Sequence, residues 1–291
     1  MEKNARLYHI ILFVIMLTIT VGCQSQTETR QPTEPVETAT PTANNALFPY
    51  QKLDKFGDIK FKEPSGVTYH PQRDTLFVVG DSGTLTEVKT DGTLVRQEKV
   101  LSGASFEGVT VDPATGLLYV ALEGHDKILE ISPDEFAVLR DIEIDKMFEG
   151  KELIKKGGGG LEGIVFVPNN SGGTFYLTNQ SDELTGNDPS IIFEIEIDNS
   201  ADKPVARIVR YFSTGITDMS GLFYLPGDDQ LLVISDDNNL LLTVSPTGEV
   251  MQMVALPGEH QEGIAIDNQG YLYIGEDSDS VVKYAPLQGG N

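Results

Sequence analysis

The chain is poor in positive charge and in cysteine. Against 44 Asp and Glu stand only 21 Lys and Arg, a formal net charge of −23, and the basic residues gather into no patch. A surface of this sign repels phosphate backbones and anionic headgroups, which excludes nucleic acid as a partner. A single cysteine, Cys23, excludes an intramolecular disulfide. No His/Cys spacing of a zinc site is present. The glycine run Gly157–Gly160 lacks a following Gly-Lys-Ser/Thr, and no Gly-x-Ser-x-Gly surrounds Ser65 or Ser220, so neither a phosphate loop nor a hydrolase triad is supported. With 291 residues, 40% of them hydrophobic, there is nonetheless a core to bury.

Long apolar runs are scarce. Ile10–Ile19 falls short of the ~20 residues that span a bilayer, and with Lys3 and Arg6 ahead of it reads as a signal peptide over residues 1–22. Gly22 before Cys23 resembles a lipobox, the signal at which a bacterial lipoprotein is acylated on cysteine and cleaved; Thr20 stands where an aliphatic residue is usual. Residues 24–46 are mostly Thr, Pro, Glu, Gln and Ala, too polar to offset their ordering entropy. Residues 23–47 therefore read as a lipidated cysteine and a disordered tether with a reach of roughly 25 Å. The expected location is the bacterial cell envelope, at the outer membrane or cell surface, with the lipid anchor the only membrane contact.

What is abundant is repetition. Within residues 48–291, five segments open alike: Glu63-Pro-Ser-Gly-Val-Thr-Tyr, Phe106-Glu-Gly-Val-Thr-Val, Leu161-Glu-Gly-Ile-Val-Phe, Met219-Ser-Gly-Leu-Phe-Tyr and Gln261-Glu-Gly-Ile-Ala-Ile. Their glycines, Gly66, Gly108, Gly163, Gly221 and Gly263, are 42, 55, 58 and 42 residues apart, bracketing the length of a propeller blade. Each unit holds four short β-branched or aromatic runs separated by Asp, Pro and Gly turns. The second reads Gly108–Val111, Leu117–Leu122, Lys127–Ile131 and Phe136–Ile144. The last unit runs out after Ser280–Tyr284, and Gln51–Phe61 is the natural donor of its outer strand, closing the ring and removing open edges. The expected fold is an all-β propeller of four-stranded antiparallel blades, five by repeat count, or six if an irregular blade occupies the interval around Asp145–Gly160.

In such a blade the start of the innermost strand and the turn between the second and third strands share one mouth. Glu107, Glu162 and Glu262 precede strand glycines, with Ser65 and Ser220 at the matching places. Asp81, Glu123, Asp182, Asp236 with Asp237, and Glu276 with Asp277 fall in the turns, joined by Asn179 and Gln180. Carboxylates so gathered raise each other's pKa unless a counter-charge intervenes, and calcium, which takes six to eight oxygens, is the expected cation. The candidate metal ligands are Glu107, Glu162, Glu262, Asp236 and Glu276; the candidate ligand-binding residues are Asp81, Glu123, Asn179 and Asp182. The competing structural role is a solvated rim, or glutamates accepting backbone N–H groups between blades. His125 and His260 map near the same face as candidate bases. Tyr69, Tyr119, Tyr176, Tyr224 and Tyr273 recur on strands as packing residues.

The repeated openings, together with Leu231-Leu-Val-Ile-Ser-Asp-Asp-Asn-Asn-Leu-Leu-Leu, resemble the SdiA-regulated β-propeller family over nearly all of residues 60–285, and more distantly NHL-repeat and phytase-like propellers. The resemblance implies an exported propeller with a cation site in its channel and no established reaction; Ser65 and Ser220 break any ring of identical ligands. Two functions compete. The preferred one is a binding module whose calcium-occupied acidic mouth captures a small molecule, glycan or envelope protein. The other is a calcium-dependent hydrolase, a lactonase or phytase-like phosphoesterase, with the metal polarising the substrate and a carboxylate or His125 handling protons.

Overall fold

The structure, a computed structural model, describes residues 48–53, 56–57, 59–154, 160–185, 189–199 and 203–287. The signal peptide, Cys23, the tether and Gly157–Gly159 lie outside the described residues.

After β1 (Tyr50–Lys52), the described residues form five four-stranded units. The first is β2 (Gly66–His70), β3 (Thr75–Gly80), β4 (Thr84–Lys89) and β5 (Leu94–Lys99); the second is β6 (Phe106–Val111), β7 (Leu118–Leu122), β8 (Lys127–Ile131) and β9 (Val138–Asp145). A small hairpin, β10 (Met147–Phe148) and β11 (Lys151–Glu152), occupies the first part of the long interval. The third unit is β12 (Gly160–Val167), β13 (Thr174–Gln180), β14 (Ile191–Asp198) and β15 (Val205–Phe212); the fourth is β16 (Met219–Leu225), β17 (Gln230–Ser235), β18 (Leu240–Val244) and β19 (Val250–Ala255). The fifth has β20 (Gln261–Ile266), β21 (Leu272–Glu276) and β22 (Ser280–Pro286), and β1 completes it as the outer strand, pairing Tyr50 with Pro286 and Lys52 with Tyr284. The N-terminal strand thus closes the ring as the sequence predicts, but it begins one residue before the expected Gln51–Phe61 segment and shares only Gln51 and Lys52 with it. Each unit is an antiparallel meander.

The hydrophobic core is divided among the seams between blades. One cluster joins Phe77, Val79 and Leu85 of the first blade to Phe106, Val109 and Leu118 of the second. Another joins Tyr119 and Ile128 to Phe175, Leu177 and Phe193. Further clusters bind the third blade to the fourth, the fourth to the fifth, and the fifth back to the first through Ala265, Tyr273 and Val281 against Val67 and Leu76. Each fully buried Leu, Ile or Phe contributes about 1.5–3 kcal/mol of transfer free energy, so every blade depends on both neighbours.

The motif glycines explain why the repeat exists. A Cβ on Gly66 would lie 2.8 Å from the Glu107 carbonyl, on Gly108 2.4 Å from that of Glu162, on Gly163 2.3 Å from that of Ser220, on Gly221 2.2 Å from that of Glu262, and on Gly263 2.7 Å from Val67 N. The five inner strands approach in cyclic order too closely for any side chain. Outside this ring, the outer strands β9 and β15 pair in parallel, Val205 opposite Glu143, fusing the second and third units into one eight-stranded sheet.

Candidate functional site

In the second to fifth blades the residue before the motif glycine lies at an irregularity in the inner strand, whereas in the first β2 pairs in regular register from Gly66 on and Ser65 precedes it. The register shifts between Phe106 and Val109, Leu161 and Ile164, Met219 and Leu222, and Gln261 and Gly263. A bulge re-aims a side chain that regular pleating would send elsewhere, and the residues within or beside these bulges are Glu107, Glu162, Ser220 and Glu262. The chain enters the inner strands through left-handed turns: Glu63, Gly160, Asp218 and His260, each three residues before a motif glycine, have φ of 47°, 105°, 57° and 56°.

The three glutamates stand in one electrostatic environment, in which the charges acting on them from the described residues are those of other acids. Burial raises Glu107 to about 7, with the charges of Asp81 and Glu123 adding to the effect and hydrogen bonds from Ser105 and Ser65 opposing it. Burial holds Glu162 well above the usual carboxylate range, reinforced by Glu107, Glu262, Glu123 and Asp81. Glu262 is raised to about 8 by burial, then by Glu107, Asp277, Asp236 and Asp81. No Lys or Arg among the described residues pairs with any of the three. Glu107 and Glu162 are 6% and 7% exposed, whereas Glu262 is only partly buried and marks the open side.

The other predicted residues surround this centre at different depths. Asp81 accepts a hydrogen bond from Ser65 Oγ at 2.7 Å. Glu123, raised by burial and by Asp81, leans on Gly160, whose Cβ would lie 2.9 Å from its Cγ. Asp236, raised to about 6 by burial and by Asp218, accepts the Gln261 backbone N–H, with His260 Nδ1 at 3.9 Å from its Oδ2. Ser220 donates to the Gln261 carbonyl at 3.0 Å, tying two blades instead of adding a charge. Glu276 belongs to a different neighbourhood: its Oε2 accepts from Ser280 Oγ at 3.1 Å and its charge raises Tyr284. Asn179 donates through Nδ2 to the Pro189 carbonyl at 3.0 Å, so its amide braces the loop. His125 is exposed, beside the Glu123 carbonyl.

Among the described residues, one set of three acids brings an oxygen from each within 4.8 Å of the others: Asp182, Asp218 and Asp237. Asp218 is buried and accepts the Asp237 N–H at 2.6 Å, and burial raises its carboxyl, with the charges of Asp237 and Asp182 adding to that. Asp182 and Asp237 were readable as turn acids; Asp218 was not singled out, although its place three residues before Gly221 is the signal that marks the turn into an inner strand. The axial glutamates do not form such a set.

A closed ring of meanders opening on Glu-Gly and Ser-Gly repeats matches the family model described as SdiA-regulated over residues 54–279. The chain belongs to the SdiA-regulated family. Among solved structures it is similar to the glutaminyl cyclase of Myxococcus xanthus, at 14% identity and a TM-score of 0.58, covering 81% of this chain and 95% of that one. It is also similar to a chain of the nidogen/laminin complex, at 16% identity and a TM-score of 0.50, covering 78% of each. A gluconolactonase of Xanthomonas campestris, XC5397, matches at 16% identity and a TM-score of 0.47, over 88% of this chain and 91% of that one. At such identities the likeness is one of fold alone.

Proposed function

We propose that this member of the SdiA-regulated family is an exported, lipid-anchored binding protein of the cell envelope whose acidic mouth, with calcium as part of it, takes a small molecule, a glycan or an envelope partner. The observation that carries the reading is the convergence of acids from all five blades on one mouth whose axial glutamates have no basic partner among the described residues. Like charges held together in a partly buried site repel one another, so a fold that gathers several carboxylates is built to receive positive charge. The all-oxygen donor set suits a hard cation. Asp182, Asp218 and Asp237 would hold it, and calcium bound there would supply two positive charges and open positions for ligand oxygens. Lys3, Arg6, the apolar run and Gly22-Cys23 support the anchor.

Two experiments test this. Calorimetric titration of calcium into the chelator-treated chain should show saturable binding that Asp218→Asn abolishes; no heat with the native sequence removes calcium from the reading. Labelling of expressing cells with a radioactive fatty acid should mark the native chain and not Cys23→Ala.

A second reading, a calcium-dependent hydrolase, is favoured by the Glu107 and Glu262 carboxyls titrating at about 7 and about 8, the range a general acid or base needs near neutral pH. Lactones and phosphomonoesters assayed with calcium and with chelator decide it: metal-dependent turnover lost in Glu162→Gln favours the enzyme, and uniform silence the binder.

A further inference from the structure

Resting on the reading of the mouth as a ligand site, the geometry points to the kind of charge that Glu107, Glu162 and Glu262 receive: a guanidinium group of an organic ligand, in place of a bare metal ion. Two observations meet here. Glu162 is 93% buried, has no hydrogen-bond or salt-bridge partner among the described residues, and of the charges acting on it those of Glu107 and Glu262 act most strongly. A carboxylate enclosed to this degree is otherwise found paired or hydrogen-bonded, as the rim glutamates of this protein are.

The second observation is spacing. Oxygens in one calcium shell, at 2.3–2.6 Å from the ion, lie within roughly 5 Å of each other, and Asp182, Asp218 and Asp237 meet that condition at 4.8 Å. The axial glutamates do not, so one ion does not bond all three. A single ammonium, with N–H···O distances of about 2.8 Å, spans no further. A guanidinium spreads its charge over three nitrogens carrying five N–H donors in a planar fork, and so reaches carboxylates set wider apart. The ring supplies acceptors to match: Glu107 and Glu162 from adjacent blades form one wall, with Glu262 opposite, between the serine blades of Ser220 and Ser65. Glu262, the partly exposed member, gives the entry side.

The group has two sources, a small guanidino compound or an arginine side chain of a peptide. The test uses both: methylguanidinium, and the tripeptide Gly-Arg-Gly with its termini blocked. Each is titrated by calorimetry into the full chain at 150 mM salt, with tetramethylammonium as a cation lacking N–H donors and calcium as the metal arm. The expected result is saturable binding of methylguanidinium that Glu162→Gln and Glu107→Gln each weaken at least tenfold, that the exposed Glu196→Gln leaves unchanged, and that tetramethylammonium does not reproduce. Tighter binding of the tripeptide assigns a peptide source; equal or weaker binding assigns a small molecule. If calcium binds through Asp218 and methylguanidinium does not bind, the guanidinium assignment falls and the calcium reading stands. If tetramethylammonium binds as well as methylguanidinium, or Glu162→Gln binds as well as the native chain, the effect is diffuse charge and the assignment is overturned. Silence in every arm removes the ligand-site reading as well. Thermal unfolding of each variant, expected no lower than that of the native chain, separates lost binding from lost fold.

Discussion

Buried and half-buried glutamates occur in two parts of this propeller, and the protein treats them in opposite ways. On the third strands of the first three blades, Glu87, Glu130 and Glu194 occupy equivalent register positions, facing Phe77, Tyr119 and Tyr176. Glu87 accepts from Arg73 Nε at 2.8 Å and Thr75 Oγ1 at 2.9 Å. Glu130 pairs with Arg140 and accepts from Tyr119 at 2.8 Å, and Glu194 accepts from Arg210 Nε at 2.9 Å. At the axis, Glu107 and Glu162 are as enclosed as Glu130, 6% and 7% exposed against 5%, and meet other acids. Burial alone therefore does not explain the axial carboxyls. Among the described residues the fold neutralises the inward glutamates of these third strands and not those of the mouth, which supports the proposed role of the mouth as a cation site.

The comparison presupposes the glycine ring, so the largest effect comes from moving it. Gly163→Ala would set a methyl 2.3 Å from the Ser220 carbonyl and 2.9 Å from Leu222 N, backbone on both sides, and should destabilise by more than about 3 kcal/mol in denaturant unfolding. Next, Arg73→Met turns a rim glutamate into an axial one. Glu87 keeps only Thr75, and a loss of about 2 kcal/mol is expected, less than a fully enclosed pair would give because Arg73 is itself partly exposed. A loss below about 0.5 kcal/mol would show that the rim and axis differ in geometry only.

The converse change should stabilise. Glu162→Gln removes a charge that the fold does not balance, and the sign follows from linkage. The carboxyls of Glu107, Glu162 and Glu262 are raised in the folded state, so the native protein holds more protons than the unfolded chain above the ordinary carboxylate pKa. Their contribution to stability is complete below about pH 4.5 and is lost as pH rises through about 7 and about 8. Calcium-free protein should therefore lose stability between pH 5 and 8.5. Glu162→Gln should be neutral at pH 5 and more stable than the native chain by about 1–2 kcal/mol at pH 8.5. A flat profile in urea unfolding across that range would place a counter-charge at the axis.

The architecture was legible because its cause is local: close approach of inner strands demands a glycine in each blade, and the glycine recurs where a reader can count it. The acids beside Gly108, Gly163 and Gly263 were legible for the same reason. Chemistry set by register was not. Gln261 pairs with Glu276, and the shift before Gly263 sends Glu262 to the axis while Glu276 meets Ser280 and Tyr284; alternation along a strand cannot announce a bulge. Asn179 and Gln180 read from the sequence as part of a mouth-lining turn, yet both lie at the end of β13, where Asn179 pairs with Leu161 and Ile191 and its amide donates to the Pro189 carbonyl. The arginines that neutralise Glu87 and Glu194 come from a neighbouring turn and an outer strand, and the parallel pairing of β9 with β15 joins outer strands of separate blades. None of these leaves a periodic mark.

The smallest expected effect sharpens where the axis ends and the mouth begins. Asp236 is raised to about 6 by burial and by Asp218, with His260 opposing the rise, so it stands between the unbalanced glutamates and the paired rim. Its contribution follows the same sign at lower pH: present below about pH 3.9, lost as pH rises through about 6. Asp236→Asn should flatten the stability profile between pH 4 and 6 by about 0.5–1 kcal/mol and, because the Asp236 charge adds to the rise of Glu262, should soften the segment above pH 7 by a smaller amount. His260→Ala, which removes the basic neighbour that opposes the rise of Asp236 and leaves the glutamates in place, should steepen the lower segment alone. If His260→Ala altered the upper segment as well, the mouth would titrate as a single coupled unit reaching from the axis to His260, and the boundary between the two kinds of acid would lie further out than Asp236.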